Sequence, residues 1–140
     1  MVTAGCWINY TGNRPTKQHK SDAGFDLCIS EGYKIPKNGS RLVSLGTAVK
    51  IPSSHYGMLT HRSSLATKRG CTFSLGIIDS GYTGDLKALV INHTSKDVWL
   101  EAGERIGQLL IIPCRDAIFQ EGLLPTTDRG DGGFGSTGDA

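Results

Sequence analysis

Two apolar runs in the second half of the chain decide the fold class: LKALVIN at Leu86–Asn92 and RIGQLLIIP at Arg105–Pro113. Turn-forming pairs such as Thr83-Gly84 and Ala102-Gly103 bound them, as expected for strands. Similar short runs occupy Cys6–Tyr10, Phe25–Ile29, Arg41–Leu45, Ala48–Ile51, Tyr56–Thr60 and Val98–Leu100. Many short strands separated by turns predict an all-β sandwich, jelly roll or barrel.

The rest of the chain departs from this strand pattern in two places. Ser63–Arg69 is able to form a helical turn, with Ser63 as its expected cap and Gly70 as its stop. After Cys114 the apolar pattern fades, and the glycine-rich stretch from Asp128 to Ala140 offers almost nothing to a core. We therefore expect a β-barrel domain over residues 1–127 and a mobile arm over residues 128–140.

Length and charge exclude several classes of protein. The chain has 140 residues, enough for one domain, and its 15 basic and 13 acidic residues give a net charge of +2. That charge is too small to indicate a nucleic-acid partner. No apolar run reaches the roughly 18 residues of a membrane span, and Met1–Tyr10 does not resemble a signal peptide. We expect a cytoplasmic protein, or a nuclear one in a eukaryotic or virus-infected cell, that is not secreted.

The four cysteines indicate neither zinc binding nor redox chemistry. Cys6, Cys28, Cys71 and Cys114 are widely separated, and the chain holds no C-x-x-C pair. We expect reduced thiols in a reducing compartment.

Two segments in the first half of the chain carry groups suited to metal and phosphate. In AGFDL at residues 23–27, Asp26 is able to hold a hydrated Mg²⁺, or simply to make a turn hydrogen bond at a strand edge. In HRSSLA at residues 61–66, Arg62 offers a planar fork of donors, and Ser63 and Ser64 add hydroxyl and N–H groups. This combination suits an oligophosphate, and it equally suits a capped helix with a surface arginine.

Three later segments suit a nucleotide. GIIDSGYTGDLK at residues 76–87 predicts a hairpin-like loop whose backbone is able to pair with a base edge, with Asp79 and Tyr82 in one cleft. Gln108 is the odd polar member of a buried strand. RGDGGFGSTG at residues 129–138 is able to wrap phosphates and to stack Phe134 on a base, or it is a plain disordered tail.

The five segments, in this order, resemble the motif set of the trimeric dUTPases, the deoxyuridine triphosphate nucleotidohydrolases, from about Lys17 to Gly138. The resemblance implies a jelly-roll-like distorted β-barrel, assembled as a homotrimer with active sites between subunits and a flexible arm that closes over the site. It also implies hydrolysis of dUTP to dUMP and pyrophosphate by Mg²⁺-assisted attack of water on the α-phosphate. Such an activity limits uracil incorporation into DNA and supplies dUMP.

The resemblance assigns a role to each site residue. Asp79 deprotonates the attacking water, and Asp26 contacts Mg²⁺ through water. The phosphates are held by Arg62, Ser63, Ser64 and Gln108 of a neighbouring subunit. Uracil and its sugar are read by Gly76, Ile77, Ile78, Tyr82 and Lys87. The arm closes with Phe134 over the uracil, while Arg129, Ser136 and Thr137 grip the β/γ end of the phosphates. Gly135 of the arm also contacts the substrate.

Two alternatives and two departures accompany this reading. A dCTP deaminase is similar in fold and also trimeric, and a dUTPase-like regulatory protein would keep the fold without the chemistry. All five motifs are present, which favours the hydrolase. Many bacterial members have an asparagine where this chain has Phe73 and Ser74, and His61 stands where glycine or proline is common.

Overall fold

The computed structural model describes residues 5–135 of the chain. Within them it places eleven strands and one short helix, so the all-β prediction is confirmed. In chain order the elements are β1 (Asn9–Gly12), β2 (Phe25–Cys28), β3 (Tyr33–Ile35), β4 (Ser40–Ser44), β5 (Thr47–Lys50), β6 (His55–His61), α1 (Ser63–Arg69), β7 (Cys71–Phe73), β8 (Gly76–Ile78), β9 (Lys87–Asn92), β10 (Val98–Leu100) and β11 (Arg105–Pro113).

The strands form two larger sheets and two small ones, with antiparallel pairing throughout. The larger sheets have the orders β2-β11-β6-β8 and β4-β9-β7, and the small ones pair β1 with β5 and β10 with β3. Leu27, Leu59 and Leu109 of the first sheet and Val43 and Val90 of the second belong to one buried core. Burial of these side chains from both sheets holds the barrel together.

Helix α1 has the predicted bounds but not the predicted cap. Arg62 keeps the extended backbone of the preceding strand, with φ −73° and ψ 148°, and therefore occupies the N-cap position without a capping side-chain bond. The prediction that Ser63 caps the helix is wrong, because Ser63 is already its first residue. Gly70 ends the helix as predicted, with a left-handed φ of 67°.

The loop between β8 and β9 does not close a hairpin of paired strands. β8 pairs with β6, whereas β9 pairs with β4 and β7, so residues 79–86 connect the two larger sheets. The predicted hairpin is wrong in this respect because each flank has a partner strand elsewhere. The turn that was expected at its tip is present, since the Tyr82 N–H donates to the Asp79 carbonyl at 3.0 Å.

Beyond Pro113 the described chain, up to residue 135, contains neither helix nor strand. Five large apolar side chains of this stretch are more than nine-tenths exposed: Ile118, Phe119, Leu123, Leu124 and Phe134. The division at residue 127 stays a prediction. No helix among the described residues has the length and apolar character needed to cross a membrane.

Candidate active site

Strand register brings the first group of predicted site residues together. Gln108 in β11 lies opposite both Asp26 in β2 and Thr60 in β6. Directly paired residues of adjacent strands point to the same face of a sheet, so the three side chains are neighbours. Arg62 and Ser63 follow β6 directly and line the same polar recess, of about 280 Å³, as Asp26 and Gln108.

The Asp26 carboxylate carries two ion pairs in this recess. Its Oδ1 lies 3.3 Å from Arg62 Nε, and its Oδ2 lies 3.8 Å from Arg105 Nη1. The Asp26 side chain is 15% exposed, whereas those of Arg62 and Arg105 are 30% and 44% exposed. The two guanidinium groups therefore keep surface available for an incoming anion.

A glycine shapes the recess around Gln108. A Cβ atom placed on Gly24 would lie 2.7 Å from Gln108 Oε1, inside the contact limit. The glycine of the AGFDL segment thus lets the Gln108 amide lie across the backbone that precedes Asp26.

Arginine forks, a serine hydroxyl and an amide are groups that bind phosphate oxygens. The described residues contain no cluster of three or more potential ligands from histidine, cysteine, aspartate and glutamate. Asp26 and Asp22 both line the recess, and few carboxylates suffice for Mg²⁺, which keeps several waters and takes its other ligands from substrate phosphates. The recess therefore suits a metal-bound oligophosphate.

Sequence reasoning assigned no role to Arg105. It lies three positions before Gln108 in β11, where alternation alone would point it to the opposite face. The pairing of β11 with β2 shifts register between Arg105 and Gly107, and this irregularity accompanies its approach to Asp26. The register shift left no signal in the sequence beyond the Gly-Glu-Arg-Ile-Gly run itself.

The second group of site residues lies in the loop between β8 and β9. Asp79 follows β8 directly and is exposed, as is Tyr82. The Tyr82 hydroxyl donates to the Asp85 carbonyl at 2.7 Å, and Lys50 Nζ donates to the Ser80 carbonyl at 2.6 Å. These bonds give the loop a defined shape.

The two groups lie at opposite ends of one sheet. β8 runs antiparallel to β6 with Ile78 opposite Gly57, so Asp79 lies level with Tyr56. Arg62 follows the far end of β6, six positions further along, which corresponds to about 20 Å at roughly 3.3 Å per residue. The structure therefore brings Asp26, Arg62, Ser63 and Gln108 together in one chain, but not with Asp79.

The remaining predicted residues have varied surroundings. Ser64 lines a neighbouring basic recess together with Lys68 and Arg69. Arg129 Nε donates to the Gly132 carbonyl at 2.6 Å, within the arm itself. The Phe134 side chain is fully exposed. Ser136 and Thr137 lie outside the described residues.

His61 has a packing role next to the recess. Its ring meets the Phe73 ring edge-on at 5.8 Å between centroids, and its Nδ1 lies 3.0 Å from the Arg62 carbonyl oxygen. These contacts tie the end of β6 to β7, which helps to fix the direction in which Arg62 leaves the strand.

Comparison with known proteins agrees with these motifs. The sequence model of the dUTPase family matches residues 11–138. The deoxyuridine 5'-triphosphate nucleotidohydrolase of Candida albicans is 40% identical over 130 residues, which cover 91% of this chain and 82% of the relative. The enzyme of the same name from Paramecium bursaria Chlorella virus 1 is 39% identical over 127 residues and 89% of each chain.

Solved structures show the same fold. The Staphylococcus bacteriophage 80alpha dUTPase, solved with dUPNHPP, superposes with a TM-score of 0.86 at 25% identity, covering 94% of this chain and 98% of that one. The jelly-roll-like barrel is thereby confirmed. By its motifs, its sequence relatives and its fold, the chain belongs to the dUTPase family.

Proposed function

We propose that the protein hydrolyses dUTP to dUMP and pyrophosphate, by attack of water on the α-phosphorus with the help of Mg²⁺. The observation that carries this proposal is the recess in which Asp26, Arg62, Ser63 and Gln108 meet, in a chain of the dUTPase family. The reaction would limit uracil incorporation into DNA and supply dUMP, in the cytoplasm or in the nucleus of a eukaryotic or virus-infected cell.

The recess would bind the triphosphate. Arg62 and Arg105 supply positive charge, while Ser63 and Gln108 donate hydrogen bonds to phosphate oxygens. Asp26 would hold Mg²⁺ through water. When bound, the metal ion neutralises phosphate charge and orients the chain of phosphates for in-line attack.

Asp79 would act as the general base that takes a proton from the attacking water. Its separation of about 20 Å from Arg62 along the same sheet supports a site in which Asp79 serves the phosphate recess of another subunit. We therefore propose a homotrimer with sites between subunits. The exposed apolar side chains of Ile118, Phe119, Leu123 and Leu124 support this assembly, since a neighbouring subunit would bury them.

Uracil would bind beside β8, at the point where the chain passes from β7 in one of the larger sheets to β8 in the other. β7 pairs with β9 as far as Phe73 opposite Val90, and continuing that register would bring Gly76 level with Lys87. β8 instead pairs with β6 as the last strand of its sheet. Its outer edge, at Gly76, Ile77 and Ile78, offers backbone donors and acceptors to a base.

This arrangement gives selectivity a physical basis. A fixed row of backbone groups complementary to uracil would leave some of these groups without a hydrogen-bond partner when cytosine is bound. Each buried unpaired group weakens binding by about 1–3 kcal/mol. A close backbone excludes the C5 methyl group of thymine, and Tyr82 below the sugar would clash with a ribose 2'-hydroxyl. Phe134, Arg129, Gly135, Ser136 and Thr137 of the arm would close over the bound nucleotide.

One assay tests the proposal. Pyrophosphate release would be measured from dUTP, dCTP, dTTP and UTP, each with and without Mg²⁺, together with ammonia release from dCTP. We expect release from dUTP that depends on Mg²⁺, with little from the other nucleotides. Ammonia from dCTP would identify a deaminase instead, and dUTP binding without turnover would identify a non-catalytic relative.

A further inference from the structure

Lys50 is the last residue of β5, and its side chain reaches the loop that carries Asp79. Its ammonium group donates to the Ser80 carbonyl at 2.6 Å and to its neighbour, the Ile51 carbonyl, at 3.3 Å. A charged donor at 2.6 Å makes a short, charge-assisted hydrogen bond. The contact therefore joins β5 to the residue that directly follows the proposed base.

The carbonyl that Lys50 binds lies at the centre of a β-turn. The Tyr82 N–H donates to the Asp79 carbonyl at 3.0 Å, so Asp79, Ser80, Gly81 and Tyr82 form the four positions of the turn. The central peptide joins Ser80 to Gly81. In a type II turn this peptide is flipped relative to type I, and the third residue takes a positive φ.

The structure has the unflipped peptide. Gly81 is not in the left-handed region, which excludes a type II turn. Glycine nevertheless tolerates either conformation, so the residue at position 81 does not itself select one. Lys50 does select one orientation of the Ser80–Gly81 peptide, because its hydrogen bond requires the Ser80 carbonyl to point towards β5.

β5 also holds the other end of the loop. The Leu86 N–H donates to the Thr47 carbonyl at 2.9 Å, and Thr47 is the first residue of β5. The strand thus contacts the loop at both ends, by its backbone at Leu86 and by the Lys50 side chain at Ser80. Of the two contacts, the one at Ser80 adjoins Asp79.

We infer that Lys50 is a positioning residue for hydrolysis, because its bond to the Ser80 carbonyl anchors the Asp79–Tyr82 turn to β5 and thereby holds in place the backbone that carries the Asp79 carboxylate. The inference rests on the proposed function, in which Asp79 is the base. Other residues of the nucleotide site have separate support: β8 is held by β6, and the Tyr82 hydroxyl is held by the Asp85 carbonyl. Loss of the Lys50 contact should therefore disturb the chemical step more than substrate binding.

The kinetic test compares Lys50→Met with the control variant Lys37→Met, which removes the same charge elsewhere. Lys37 lies in the turn before β4, at the end of that strand that is remote from the Asp79 loop. We expect Lys50→Met to lower kcat for dUTP about tenfold while KM stays within about twofold, since small misplacements of a reacting group are costly. Lys50→Arg should recover most of kcat, and Lys37→Met should match the wild type. An unchanged kcat in Lys50→Met would overturn the positioning role.

A second measurement does not depend on activity. Hydrogen exchange of the Tyr82 amide reports the closing bond of the turn, and we expect it to be several-fold faster in Lys50→Met than in the wild type. Adding Gly81→Ala should slow it again, because alanine leaves the opened turn less conformational freedom than glycine and its Cβ would meet no atom within 4 Å.

The two measurements separate the possible failures. A wild-type protein that leaves dUTP intact defeats the proposed function, and the exchange rates then still decide whether Lys50 locks the turn. Faster exchange with an unchanged kcat shows a purely structural contact and overturns the inference. Unchanged exchange together with unchanged kcat overturns both the lock and the positioning role.

Discussion

Asp79 and asparagine have nearly the same shape, but only the carboxylate is able to accept the proton of the attacking water. We expect Asp79→Asn to keep the fold and nucleotide binding while lowering turnover about 10²–10⁴-fold, the usual contribution of a general base. Asp85→Asn is the matched control, since Asp85 lies exposed in the same loop. Measured kcat and dUTP affinity of both variants decide the matter, and near-normal turnover in Asp79→Asn would refute the role of Asp79.

Tyr33 is a buried residue with a titratable group away from the site. Its side chain is 8% exposed, its hydroxyl donates to Glu31 Oε1 at 3.0 Å, and it accepts from the Ser44 N–H at 3.2 Å. Burial is the largest cause that raises the pKa of Tyr33, while the Ser44 hydrogen bond opposes it. A raised pKa in the folded state means that the stabilisation is complete below about pH 10 and is lost as pH rises further.

Tyr33→Phe tests this dependence on pH. At pH 8 we expect the variant to lose about 1–2 kcal/mol in the free energy of unfolding, because the Ser44 N–H loses its acceptor. Above pH 10 the difference in the free energy of unfolding between the two proteins should narrow. Ionisation of Tyr33 in the unfolded chain lowers the stability of the wild type, whereas the variant has no hydroxyl there to ionise. Urea unfolding of both proteins at one protein concentration, at pH 8 and at pH 10.5, measures this difference in the free energy of unfolding. An equal difference at the two pH values would contradict the raised pKa of Tyr33.

Among the elements, most strands that are continuous apolar runs were predictable, whereas two short strands with polar residues were not. Val98–Leu100 and Arg105–Pro113 have the predicted bounds. Tyr33–Ile35 and Cys71–Phe73 were missed, because each has a polar central residue and is too short to display an alternating pattern, whereas Val98–Leu100 is apolar throughout. β1 lies at Asn9–Gly12 rather than at Cys6–Tyr10, since pairing with β5 selects a polar, exposed segment over a more apolar one.

The candidate site shows the same division between local and long-range information. Each motif was recognisable in the sequence by its residue types. The sequence did not show which motifs meet within one chain, because their meeting depends on the pairing of β11 with β2 and β6 and of β8 with β6. The Arg105–Asp26 contact and the Lys50–Ser80 contact likewise join residues that are far apart in sequence.

The arm is an element whose role can be tested by removal. Fixing the backbone of one residue costs about 1–2 kcal/mol, and glycine loses the most freedom. Phe134 is fully exposed and Arg129 bonds to Gly132 within the arm, so the described part contributes little to the barrel. We expect deletion of residues 129–140 to leave the melting temperature nearly unchanged but to cripple hydrolysis of dUTP.

Single substitutions in the arm refine this test. Phe134→Ala should lower kcat/KM less than the deletion does, and Phe134→Tyr should retain activity because it keeps a ring to stack on uracil. Thermal unfolding and kcat/KM are measured together for all three variants. A deletion that collapses the fold would show a structural arm, and a fully active deletion would show that the arm is not a lid.

For the whole molecule, separation of Arg62 from Asp79 predicts that subunits complement one another. Arg62→Ala and Asp79→Asn should each be nearly inactive alone, and refolding the two proteins together should restore part of the dUTP hydrolysis. The recovered activity comes from sites that combine an intact Arg62 from one subunit with an intact Asp79 from another. Sedimentation of a monomer, or absence of rescue after confirmed mixing, would contradict shared sites.

The same separation of about 20 Å determines how a faulty copy of the gene would act in a cell that also makes the intact protein. A subunit defective at both Arg62 and Asp79 would enter a trimer and take part in two of its sites, through a different residue in each. One such subunit would silence two of the three sites, so inhibition would exceed the faulty copy's share of the chains. Division of the proposed site between subunits would make the enzyme sensitive to dominant inhibition by its own defective copies.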